Sequence, residues 1–194
     1  MSETPEFPRP ESSRPESLQP EFSRIVRLDA IGRMEWPAHV AAEETERAAL
    51  AARFGFASLD LLEADYSMTR DGAVINATGL LRARLSQPCI ATGEPVAEEL
   101  REDFAIRFVP EAEAENDADP QGEIELDAEE CDMLPYRDER IDMGEAIAET
   151  LALAVNPYPR SPDADRYLRE AGVMTEEQAG PFAALAALKG KPNS

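Results

Sequence analysis

One thiol and a small set of arginines are the residues in this chain whose type and spacing can do chemistry. Cys89 lies in QPCIATGEPV, a turn-like stretch, directly after Pro88. A thiolate there would be a nucleophile or a metal ligand if something lowered its pKa. The one histidine, His39, stands far along the sequence in a stretch read as loop, so no triad and no histidine-rich metal site can be assembled. Arg82, Arg84, Arg101 and Arg107 fall at alternate positions of two β-prone runs, so pairing of those runs puts them on one face. Guanidinium groups bind phosphate or carboxylate bidentately, which makes that face a candidate contact for RNA or an acidic partner. The plainer reading is a solvated, charge-balanced face.

Other chemistry is excluded by pattern. Residues 111–130 hold ten acids and no lysine or arginine, a composition that repels itself and reads as a solvated loop. The spacing of a calcium loop is absent, and no glycine-rich phosphate loop or nucleophile elbow appears. No residue is therefore assigned as catalytic, cofactor-binding or metal-ligating, and no small-molecule substrate is evident. Net charge is 19 − 40 = −21, which opposes tight non-specific binding to phosphate backbones and favours basic partners. No apolar run is long enough for a membrane span, and the start lacks the pattern of a secretory signal. With Cys89 and Cys131 far apart, a reduced, cytoplasmic setting is expected.

These residues need a frame, and the best-punctuated element is a helix over 142–156. Asp142 can cap it, with Glu145 placed to reach back to the cap amide. Met143, Ile147, Leu151 and Ala154 make one stripe, widened by Leu153 and Val155, and Asn156-Pro157 ends it. A second helix is expected near 41–54, stopped by Gly55 with Phe56 as the following apolar contact. Strands are expected in FSRIVRLDAI and over Leu59–Thr69, where Leu62, Ala64, Tyr66 and Met68 alternate. Asp71-Gly72 signals a hairpin into a strand from Ala73. That strand and the one ending in Phe104, Ile106 and Phe108 pair well if paired positions sum to about 183. Phe104 then faces Gly79, Ile106 faces Ala77, and Phe108 faces Ile75, large against small. In that register Arg82 lies beside Arg101, Arg84 meets Glu99, and Arg107 meets Asn76.

The expected fold is α+β: a mainly antiparallel sheet of about five or six strands, packed against two α-helices on one face. A disordered Pro/Ser/Glu-rich tail is expected over 1–20 and the α+β domain over 21–160. The acidic loop 111–130 lies inside that domain, with Ile124 and Leu126 as a possible short strand. A polar tail over 161–194 should end in a short helix from Pro181, with Phe182, Leu185 and Leu188 on one side.

Three stretches carry a resemblance to a known family. They are GLLRARLSQPCIATGEPV with DFAIRFVPE, then YRDERIDMGEAIAETLALAVNPYPRSP, then PFAALAALK. In order and spacing they resemble the YceD family, the large ribosomal RNA subunit accumulation proteins, in its alphaproteobacterial branch. The resemblance implies a non-catalytic part in ribosome biogenesis, supporting synthesis, processing or stability of 23S rRNA. The implied partners are ribosomal RNA or a ribosomal or assembly protein. Two other readings stay open: an acidic, chaperone-like binder of a basic ribosomal protein, and a thiol enzyme using Cys89. Many family members carry a CxxC pair at the turn, and often two further cysteines after the helix. Here Thr92 stands where the partner of Cys89 would be, and Arg160-Ser161 follows the helix without cysteine. The four thiolates that a structural zinc wants are not present at these places.

Overall fold

The computed structural model describes residues 20–114 and 132–173. The tail over 1–19, the strand considered at Ile124 and Leu126, and the helix expected from Pro181 lie outside the described residues. The described elements are β1 (Ile25–Arg27), β2 (Ala38–Ala41), α1 (Glu44–Phe54), β3 (Ser58–Asp71), β4 (Val74–Pro88) and β5 (Pro95–Pro110). They continue with α2 (Glu111–Ala114), β6 (Asp132–Tyr136), β7 (Arg140–Asp142), α3 (Met143–Ala154) and α4 (Ala164–Glu170). A five-stranded sheet runs in the order β2-β3-β4-β5-β6, and β1 pairs with β7 in a separate two-stranded sheet. All pairs are antiparallel except β5–β6, which is parallel. The α+β architecture is thus the one the sequence pattern implies.

Long alternating strands make the centre. Leu62, Ala64, Tyr66 and Met68 of β3 are all buried, as are Ile75, Ala77, Leu81, Ala83 and Leu85 of β4. The β4–β5 register has Ile75 opposite Phe108, Ala77 opposite Ile106 and Gly79 opposite Phe104, as the volume argument requires. A Cβ built on Gly79 would lie 2.7 Å from Phe104 Cζ and 2.5 Å from the Asp65 carbonyl oxygen. The position therefore needs glycine for close approach. The β3–β4 loop is Gly72-Ala73, closed by the pair Asp71 and Val74, one residue later than a turn centred on Asp71-Gly72.

Helices cover the apolar face. On α3, Met143, Ile147 and Leu151 are fully buried, and Asp142 accepts from the amides of Gly144 and Glu145. Glu145 does not turn back to the cap. Its carboxylate takes Arg53 Nη2 of α1 at 2.7 Å, and this pair joins the two helices. Leu153 does not widen the stripe either: it is 77 % exposed. At 3.6 residues per turn it sits about 200° round the helix from Leu151. Gly55 closes α1 with φ 72°, and Phe56 N–H returns to the Ala51 carbonyl at 2.9 Å.

Short strands account for the other departures. Only Ile25–Arg27 of FSRIVRLDAI pairs, because its partner β7 is itself three residues long. His39 sits on β2 rather than in a loop. The stretch before α3 supplies β6 and β7, and Pro135 is tolerated because β6 is an edge strand.

Candidate functional site

The even positions of β4 and odd positions of β5 turn the four arginines away from the core. Arg82 is opposite Arg101 on β5 and Glu63 on β3, while Arg84 is opposite Glu99 and Leu61. Arg84, Arg101 and Arg107 are exposed, and Arg82 is half-buried. Arg82 is already engaged: its Nη1 donates to Asp65 Oδ2 at 2.8 Å and to Glu63 Oε1 at 3.3 Å. Asp65 also accepts from His39 at 2.8 Å. The Arg82 hydrogen bond, and then that of His39, holds the Asp65 carboxyl below the usual carboxylate range. Asp65 in turn pushes the Arg82 pKa up.

Arg82, Arg84 and Arg101 stand together. Arg107 does not join them: it pairs with Asn76, six positions along β4 from Arg82. At the rise of a β-strand that separation is about 20 Å, and Asp103 lies between. Glu63 and Asp65 are the residues that sequence reasoning missed. Their alternation with Leu62, Ala64 and Tyr66 marks them as facing outward, but their meeting with Arg82 depends on the β3–β4 loop.

Cys89 follows the last residue of β4 in the turn into β5. Its N–H donates to the Glu94 carbonyl at 2.7 Å, and its carbonyl accepts from Gly93 N–H at 2.8 Å. The side chain is 3 % exposed. Ser161, beyond α3, donates its amide to Cys89 Sγ at 3.2 Å. The Thr92 and Ser161 hydroxyl oxygens are 3.4 Å apart. The Ser161 amide, the Thr92 hydroxyl and nearby turn amides lower the thiol pKa to about 6, overriding desolvation. His39 plays no part in this. Its partner Asp65 pairs with Leu80, nine residues before Cys89, a strand distance of about 30 Å.

The model of the large ribosomal RNA subunit accumulation protein YceD matches residues 77–189. This chain belongs to the YceD family. No curated protein and no solved structure matches it. The YceD match takes in most of β4, all of β5, the Cys89 turn, α3 and Ser161. Membership assigns the chain a role in the accumulation of large-subunit ribosomal RNA. The YceD description names accumulation and no catalysed reaction. No helix among the described residues is long and apolar enough to cross a membrane.

Proposed function

We propose that this YceD protein is a cytoplasmic, non-catalytic ribosome-biogenesis factor that supports 23S rRNA through contact, with Arg82, Arg84 and Arg101 as the contact group. Arg107 is a separate, outlying contact. The observation that supports this most is the β4–β5 register, which clusters three guanidinium groups on an outward face without burying any of them. Binding to free RNA is weak and salt-sensitive in this reading. Each phosphate that an arginine neutralises releases a counterion, so affinity through these few contacts falls as salt rises, and the charge of −21 adds repulsion. The contact works inside an assembly where another protein supplies most of the affinity. Changing Arg82, Arg84 and Arg101 together to glutamine tests it. The variant is expected to fold normally and to lower large-subunit rRNA levels in cells; normal levels with a folded variant would overturn it.

A second reading rests on charge. The chain is strongly acidic, with ten acids in residues 111–130, and this favours a chaperone-like hold on a basic ribosomal protein. Co-purification with and without ribonuclease separates the two. A partner that survives ribonuclease is protein-held, and one that is lost is RNA-held. A thiol enzyme using Cys89 is the weakest reading, because the thiol is buried and the histidine is distant.

A further inference from the structure

Many YceD members carry cysteines at the β4–β5 turn and after α3, a set of thiolates that could hold a structural zinc. The structure brings the corresponding places of this chain together: Cys89 and Thr92 from the turn, Ser161 from beyond the helix. The donors that meet there do not fit zinc. Structural zinc takes four ligands, mostly thiolate or imidazole. Here a single cysteine sulfur meets two neutral hydroxyl side chains, Thr92 and Ser161. No group of three or more His, Cys, Asp or Glu among the described residues could hold a metal ion. The sulfur also accepts the Ser161 amide, a bond that joins the turn to the segment beyond α3.

We propose that this chain closes the turn without metal: Cys89, Thr92 and Ser161 form a hydrogen-bonded clasp that pins the β4–β5 turn to the exit of α3. The bonds across it form a ladder. Ile90 N–H donates to the Pro159 carbonyl at 2.9 Å, next to the Ser161 amide on Cys89 Sγ. Beneath them Gln87, itself buried, donates to the Asn156 carbonyl at 2.9 Å and to Glu98 at 2.9 Å. Glu98 accepts the Asn156 amide at 3.1 Å. The clasp thus gives partners to the carbonyl and the amide of Asn156, the residue just past the Val155 C-cap of α3. Its rungs join residues 69 and 72 positions apart, the same connection that a shared metal would make. Thr92 and Ser161 are small enough to let the two segments touch, and Gly93, with φ 76°, lets the turn fold back on Cys89.

The test uses the purified full-length chain, its zinc content, its thermal unfolding with and without excess EDTA, and amide exchange at Ser161. The clasp predicts far less than one zinc per chain and a melting temperature that EDTA does not move. It also predicts that Cys89→Ala lowers the melting temperature by about 2–5 °C and speeds exchange at the Ser161 amide. Thr92→Val should act in the same direction and more weakly. Stoichiometric zinc that is lost in Cys89→Ala would overturn the proposal, as would a melting temperature that falls with EDTA. If Cys89→Ala does not fold, Thr92→Val carries the test, and unchanged melting and unchanged Ser161 exchange in that variant overturn it.

Discussion

On one side of β4 and β5, Ile75, Ala77, Leu81, Phe104, Ile106 and Phe108 are buried in a single core. On the other, Arg82, Arg84, Arg101 and Arg107 share an exposed face with Glu63, Asp65, Glu99 and Asp103. Both sides use the same backbone and the same register. The core side is governed by volume: a large ring lies over a glycine, and neither can change alone. The outer side is governed by charge count, four arginines against four carboxylates. A packed face resists single substitutions, whereas a solvated one tolerates them and is free to carry contacts.

The widest gap between the faces should appear on truncating an aromatic. Phe104→Ala is expected to cost about 3–5 kcal/mol, read from denaturant unfolding. A cost below about 1 kcal/mol would mean that the core closes without that ring. Next, Gly79→Ala should cost about 1–3 kcal/mol, because the added methyl meets the Asp65 carbonyl and the Phe104 ring. Loss of the α3 cap comes after it. Asp142→Ala should cost about 1–2 kcal/mol, with faster amide exchange at Gly144 and Glu145, whose N–H groups that carboxylate accepts. The smallest effect lies on the outer face and separates two arginines. The Asp65 carboxyl is held low by Arg82, so its stabilising contribution is present above the usual carboxylate range and lost as pH falls through its lowered value. Arg82→Gln should therefore flatten the acid limb of a stability–pH curve. Arg84→Gln should leave that limb unchanged, with a total cost within about 0.5 kcal/mol. Equal curves for the two variants would erase the distinction drawn between them.

What was legible in the sequence follows local and volumetric rules. The β4–β5 register was readable because Gly79, Ala77 and Ile75 accept Phe104, Ile106 and Phe108 in one alignment. The α3 stripe was readable at Met143, Ile147 and Leu151, while Leu153 misled because an apolar residue two positions from the stripe lies on its far side. The engagement of Arg82 was not legible. A hairpin loop one residue earlier would have set Arg82 opposite Leu61, and the observed loop sets it opposite Glu63. Short strands such as β2, β6 and β7 carry too few residues to show a period, and their partners are chosen by the rest of the fold. The meeting of Cys89 with Ser161 spans 72 positions, and no local pattern announces it.

The pairing of β1 with β7 has a consequence for the order in which the chain can fold. Asp142 takes the Ser23 hydroxyl at 2.6 Å and the Arg24 amide at 2.7 Å, residues 119 and 118 positions earlier. During synthesis the β3–β5 meander can form all its internal pairs as soon as Pro110 has emerged, before β6 adds to its edge, and those pairs are joined by short loops. Phe22 and Val26 cannot settle so early, because Phe22 lies against Gly144 and Val26 pairs with Ile141. They wait, uncovered, until β7 and α3 leave the exit tunnel and the chain closes on itself at both ends. The first residues of the domain are thus among the last to find their place. A fragment limited to the family-matched residues 77–189 would be born without the strand that β7 and the α3 cap hold.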